Sequence, residues 1–223
     1  MDWEFITKYA PMYVRAAGLT LRIGGQGILL SMLVGLVCSL IRTRRTPVLH
    51  RIAGMYIELA RNTPLLIQLF FLYFGLPKIG LKLSAETCAV AGLSFLGGAY
   101  MAESLRSGIE AVEKSQTEAG LCLGLTAWQN IRYVVFPQAL AAAVPALCAN
   151  VIFLLKETSV FSAVALADLM YVAKDLIGMY YKTDEALLML VAAYLVILLP
   201  ISFVFTRIER RLRYAGFGDQ RAV

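Results

Sequence analysis

The amino-acid sequence predicts an all-α integral membrane protein with about five transmembrane helices, and three observations carry that expectation. The chain of 223 residues is 59% hydrophobic and only 16% charged, with a mean hydropathy of +0.69, whereas soluble domains carry roughly 25% charged residues. Apolar segments of about 20 residues, long enough to cross a hydrocarbon core of about 30 Å, recur along the chain. Between two of them lies a polar, glycine-punctuated insert, residues 115–137, reading SQTEAGLCLGLTAWQNIRYVVFP.

The elements follow in order. Residues 1–18 mix Trp3, Phe5, Tyr9 and Tyr13 with charges, the pattern of an interfacial segment lying on the outer leaflet. The first span is Leu19 to Ile41, interrupted only by Arg22, Gln26 and small residues and closed by the basic cluster Arg42, Arg44 and Arg45. The second is Ile52 to Leu76, which carries Glu58, Arg61, Asn62 and Gln68. The third, Thr87 to Leu105, is rich in Gly and Ala, and Gly97, Gly98 and Ala99 suit close helix packing. Ala139 to Leu155 and Leu187 to Phe205 are spans four and five. One transmembrane domain is expected over residues 19–213, followed by a short tail, 214–223.

Basic residues orient the bundle. With the loop at 42–51 inside, Arg42, Arg44, Arg45, Arg51, Arg106, Lys114, Arg132 and the arginines from Arg207 to Arg221 fall on the same side and outnumber those opposite. Such an excess marks the cytoplasmic face. The N-terminus is then outside, while the insert and the C-terminus are inside. The net charge of +6 belongs to this membrane frame and calls for no nucleic-acid partner.

Catalytic and metal chemistry find no support in the motifs. Cys38, Cys88, Cys122 and Cys148 show no CxxC spacing, and His50 stands alone, so neither a metal site nor a disulfide framework is expected. No GxxxxGK[ST], GxSxG or HExxH pattern occurs, and without them the chain has no means of hydrolysing ATP or a peptide itself.

The insert reads as two short helices joined at a corner. Ser115 and Glu118 have the spacing of a capping box, as do Thr126 and Gln129. Gly124 suits the left-handed position that stops a helix, and Pro137 prevents the second helix from running on unaltered.

Within this insert Glu118, Ala119 and Gly120, then Gly124, then Val134, Phe136 and Pro137 resemble, in every spacing, the EAA loop of binding-protein-dependent ABC importer permeases: EAA, three residues, G, nine residues, I, one residue, LP. Gly120 replaces the second alanine, and glycine weakens a helix by up to about 1 kcal/mol relative to alanine. Further stretches are similar to the polar amino-acid branch of that family, the histidine, glutamine, glutamate, arginine and cystine type. They are YIELARNTPLLIQLFFLYFGLP at 56–77, AYMAESLRSGI at 99–109, FPQAL at 136–140 and LKETS at 155–159. Ala60 and Asn62 stand where the family more often has the Phe and Gly of FRGTP.

The resemblance implies a MetI-like type I importer permease of a bacterial inner membrane, working as a pair with a second copy or a related permease. It implies two cytoplasmic ATPase subunits that bind ATP and Mg, an external solute-binding protein, and a polar amino acid as cargo. The EAA loop would dock in the ATPase groove through Glu118, Ala119, Gly120, Gly124, Thr126, Trp128 and Gln129. An ATP-independent secondary transporter is the alternative, although its usual two-fold repeat needs more than five spans.

The translocation path is sought among polar residues at membrane depth, which usually face a cavity or a partner. Glu58 and Arg61, three apart on a helix, either pair with each other or line a cavity. Asn62, Thr63 and Pro64 break the helix, and Gln68 follows one turn on. The second candidate, Lys156, Glu157, Thr158 and Ser159, interrupts a longer apolar stretch, as transporter sites do. Asp168 and the run from Lys174 to Glu185 are expected on the external side, as a solvated face in the first instance, with contact to the solute-binding protein as the alternative.

Overall fold

In hydrocarbon every backbone N–H and C=O must find its partner within the segment, so apolar stretches of this length fold as helices. The computed structural model describes residues 1–43 and 47–214, and among them the α-helices are α1 (Trp3–Thr43), α2 (Pro47–Arg61), α3 (Leu65–Phe70), α4 (Ala85–Glu110), α5 (Lys114–Cys122), α6 (Ala127–Asn130), α7 (Phe136–Glu157), α8 (Leu169–Tyr180) and α9 (Thr183–Tyr214). Arg44, Arg45, Arg221 and nearly all of the expected tail 214–223 lie outside the described residues. Four helical runs among the described residues, Trp3–Arg42, Ala85–Glu110, Ala127–Val164 and Thr183–Leu212, are long and apolar enough to span. They contain the expected spans one, three, four and five. The fifth candidate, Pro47–Arg61 with Leu65–Ile79, is bent by 102°, so the second expected span, Ile52 to Leu76, is two half-helices and not one straight rod.

Two expectations about the outer segments are corrected. No boundary separates residues 1–18 from the first span, because α1 runs unbroken from Trp3 through Pro11 to Thr43. Phe5, Tyr13 and Ala16 are buried in a core cluster with Leu169, Val172 and Leu176 of α8 and Ala186 and Met189 of α9, and the Tyr13 hydroxyl donates to the Ala186 carbonyl at 2.8 Å. Nor is Asp168 on a solvated face: it is fully buried and caps α8, its carboxylate accepting from the Tyr171 N–H at 2.8 Å. The charged run after it begins as the amphipathic helix α8. Glu185 is buried as well, accepting from the Asp2 N–H at 2.9 Å.

The bundle is organised around α4, which packs chiefly on α1 and α7. The small residues of α4 permit this approach: a Cβ on Gly98 would lie 2.6 Å from both the Tyr56 hydroxyl and a Val34 methyl, and one on Gly97 would lie 2.7 Å from a Leu154 methyl. The main core cluster joins Ile23 and Ile28 of α1, Leu65 and Leu69 of α3, Leu93 and Met101 of α4, and Leu154 and Leu155 of α7.

Two prolines leave the same mark. A five-residue π-helical turn, Phe71–Gly75, precedes Leu76 and Pro77, and another, Ile131–Val135, precedes Phe136 and Pro137. Proline has no N–H to continue an α-helical ladder, and in the second case the Gln138 side-chain amide donates to the Val134 carbonyl at 3.0 Å. The helix therefore continues through Pro137 into α7 with its register altered.

Candidate functional site

The break after α2 is built by side chains returning to the backbone. The Asn62 N–H and side-chain amide both donate to the Glu58 carbonyl, at 3.1 and 2.8 Å, and Thr63 Oγ1 donates to the Leu59 carbonyl. Pro64 then opens α3. From α3 the Gln68 amide reaches back to the Ala60 and Thr63 carbonyls at 3.2 and 3.1 Å, stapling the two half-helices across the bend. The Gln68 side-chain nitrogen is thus committed to holding the break, while its Oε1 is buried without a hydrogen-bond partner.

The bend opens a cavity of about 350 Å³, at the lower end of the range for small-molecule sites. Arg61, Asn62, Thr63 and Pro64 form one wall, Leu96, Tyr100 and Phe153 another, and Glu157 and Val160 a third. Two sequence-distant candidate groups therefore meet: the break in the second span and the end of the fourth. Arg61 is not paired with Glu58. Its guanidinium lies over the Tyr100 ring, 5.3 Å from the centroid, and the Glu58 carboxylate accepts from the Asn62 amide at 3.2 Å. Among the described residues neither Arg61 nor Glu157 forms a salt bridge, although the Arg61 charge is felt by Glu103 of α4, which pairs with Arg42 and Arg106; the cavity is thus lined by one cation and one anion that are not paired with each other.

Glu58, Gln68, Lys156, Thr158 and Ser159 do not line this cavity. Lys156 is exposed in the last turn of α7. Thr158 is fully buried, donating to the Leu155 carbonyl at 2.7 Å, and the Ser159 carbonyl accepts from Ser162 at 3.3 Å. Tyr100 and Phe153, the aromatic walls, carried no independent signal in the sequence, though Tyr100 lies in the 99–109 stretch.

The 115–137 insert forms a helical corner. The second capping box is present in full: Thr126 Oγ1 accepts from the Gln129 N–H at 3.3 Å, and the Gln129 side chain accepts from the Thr126 N–H at 2.9 Å. The first is not. Glu113 occupies the cap position of α5, one residue before Lys114, and the Ser115 hydroxyl donates to the Glu113 carboxylate at 3.0 Å. The corner itself is a Schellman motif: Leu125 N–H donates to the Gly120 carbonyl at 3.2 Å and Gly124 N–H to the Leu121 carbonyl at 3.0 Å, with Gly124 in the left-handed region at φ +80°.

Glu118 and Ala119 are exposed, Gly120 is buried, and Gln129 is exposed beside Trp128. Leu123 (83% exposed), Trp128 (71%) and Tyr133 (68%) stand out with Leu121 and Ile131, an apolar patch that no other part of the described chain covers. Aromatic residues so placed are typical anchors of protein interfaces.

Known proteins resemble this chain in sequence and in fold. Residues 27–214 match the family model described as binding-protein-dependent transport system inner membrane component. The glutamine transport system permease protein of Escherichia coli K12 is 34% identical over 214 residues, covering 95% of this chain and 98% of that protein. The arginine transport system permease protein of Bacillus subtilis is 30% identical over 96% of this chain and 98% of its own length. A chain from the crystal structure of an amino acid ABC transporter with histidines superposes with a TM-score of 0.89 at 34% identity, covering 95% of this chain and 99% of that one. An inward-facing methionine ABC transporter matches in fold, with a TM-score of 0.74 at 21% identity over 90% of this chain and 96% of its own.

Proposed function

Because the chain belongs to the family of binding-protein-dependent transport system inner membrane components, we propose that the cavity at the α2–α3 break is where it holds an amino acid in transit. The chain is a multi-pass inner-membrane permease subunit of an amino-acid ABC importer with the MetI-like fold, it is not itself an ATPase, and it works with ATPase and solute-binding partners. The single observation carrying the proposal is the meeting of Arg61 and Glu157 in one cavity. An amino acid is a zwitterion, so a cation and an anion across a small cavity match its carboxylate and ammonium, and such charge-assisted hydrogen bonds are roughly twice as strong as neutral ones. Tyr100 and Phe153 supply apolar walls, and Asn62 and Thr63 supply polar groups beside them.

The insert is the docking element for the ATPase, with Glu118, Ala119, Gly120, Gly124, Thr126, Trp128 and Gln129 at or behind the contact and Leu123, Trp128 and Tyr133 as its apolar anchors. Two ATPase subunits, holding ATP and Mg, serve a pair of permeases, a second copy of this chain or a related one. The basic-residue excess supports an external N-terminus and a cytoplasmic insert and C-terminus. Supporting the docking role are the exposed apolar patch and the capped, glycine-cornered helix pair beneath it.

Reconstitution in proteoliposomes with the ATPase and the binding protein, followed with a panel of labelled amino acids, tests the reading. Uptake is expected to require all three components. Arg61→Gln and Glu157→Gln should each reduce uptake by about tenfold or more, the scale of a lost hydrogen bond to a charged group, while the ATPase still co-purifies. Proton-driven uptake by this chain alone, or wild-type uptake by both variants, would refute it.

A further inference from the structure

On a surface insert whose neighbouring side chains stand in solvent, one polar side chain is almost wholly buried: Asn130, 1% exposed. Its amide Nδ2 donates to the Thr117 carbonyl at 2.7 Å, thirteen residues back on α5. Its Oδ1 rests against Gly120 without a hydrogen-bond partner, and a Cβ on Gly120 would sit 2.5 Å from that oxygen and 2.9 Å from the amide carbon. Gly120 therefore does more than weaken α5. It opens the notch into which the Asn130 amide fits, and the family's usual alanine would close it.

The consequence lies in how the two helices are connected. From α6 the helix runs through the Ile131–Val135 turn into α7 and on to Glu157 in the cavity, within one helical stretch, Ala127–Val164. At 1.5 Å per residue, Glu157 is about 40 Å from Asn130 along that rod. By contrast, α5 is joined to it covalently only by the short Leu123–Leu125 corner with its left-handed glycine. A push on α5 is absorbed at the corner unless a second contact spans the two helices.

We propose that Asn130 is that contact, a positioning residue that locks α5 and α6 into one rigid body so that displacement of the docking face is delivered to α7 and the cavity. The proposal rests on the reading of the insert as the ATPase-docking element. Energetic coupling between distant sites requires a contiguous element that moves as a unit, and the Asn130 amide, bonded to Thr117 and keyed into Gly120, makes the helix pair such a unit. It also accounts for the departure at Gly120, since glycine at that position and asparagine at 130 serve one another.

The test compares Asn130→Ala, Gly120→Ala and the double variant in the reconstituted complex, reading amino acid imported per ATP hydrolysed alongside ATPase co-purification. Each single variant is expected to assemble and to lose about fivefold in import per ATP, the factor corresponding to the roughly 1 kcal/mol of a single hydrogen bond. Since both lesions break the same brace, the double variant should be no worse than the worse single one. Gly120→Ala adds only the methyl that the family pattern already carries, so it remains informative if Asn130→Ala fails to assemble. Wild-type import per ATP in the assembled single variants, or losses that multiply in the double, would overturn the brace. A separate Leu123→Asp variant distinguishes the underlying reading: if its ATPase co-purifies normally, the docking face is wrong and the proposal falls with it, whereas lost co-purification with normal coupling in Asn130→Ala condemns the brace alone.

Discussion

Asp168 couples the stability of this bundle to pH, and the sign can be worked out from its surroundings. The side chain is fully buried. One carboxylate oxygen accepts from the Tyr171 N–H, and the other has no hydrogen-bond partner. Around it are Thr20 of α1, whose hydroxyl accepts from the Leu169 N–H at 3.4 Å, Tyr194 of α9 with a buried hydroxyl, and Lys174, further along α8. Burial disfavours the charged form and pushes the carboxyl up to about 7, against the lowering influence of the Tyr171 hydrogen bond and the Lys174 charge.

An acid whose pKa is raised on folding binds its proton more tightly in the native state than in the unfolded one. Stability is therefore greatest below the unfolded pKa of about 3.9 and falls as pH rises toward 7, after which the loss is constant. At 1.36 kcal/mol per unit, the step from pH 5 to pH 8 removes roughly 3 kcal/mol, or about 6–12 °C in melting temperature for a chain of this size. Asp168→Asn keeps the cap acceptor and removes the charge. Melting of the purified protein in detergent between pH 5 and 8 should show the wild type losing stability across that interval and the variant nearly flat. Parallel slopes for the two proteins would refute the assignment of the charge to this buried site.

Two further outcomes bear on the insert. Gly124→Pro removes the Gly124 N–H that donates to Leu121 and forces a φ near −65° where the corner holds +80°, so it should cost about 3 kcal/mol or more locally; the expected reading is ATP hydrolysis without import in a complex that still inserts in the membrane. Cys122 is exposed, Cys38 half-buried, and Cys88 and Cys148 are buried, so a membrane-impermeant maleimide should label Cys122 in inside-out vesicles and spare it in right-side-out ones. The opposite pattern would invert the orientation.

Local chemistry was legible in the sequence wherever the partner lay within a few residues. The Thr126–Gln129 box, the Gly124 corner and the break at Asn62 to Pro64 all belong to that class, because capping and proline effects act over one helical turn. Ser115 shows where even this fails: Glu113 lies two residues earlier and captures the cap position, so the spacing to Glu118 is met by chance. What stayed hidden were contacts between segments distant in sequence. Phe5 and Tyr13 had the composition of an interfacial belt, and only the arrival of α8 and α9 makes them core. Asp168 belonged to a charged stretch until α1 and α9 closed over it. Glu58 and Arg61 had the right spacing to pair, but Asn62 takes the carboxylate and Tyr100 takes the guanidinium. The cavity follows the same rule, since Arg61 and Glu157 are nearly a hundred residues apart and meet because α4 holds Leu96 and Tyr100 between them. In a permease this division has a mechanical reason. The elements that stop, start and bend helices are local and so are written locally, whereas a site that opens and closes has to be assembled from different rods, because only separate rods can move against one another.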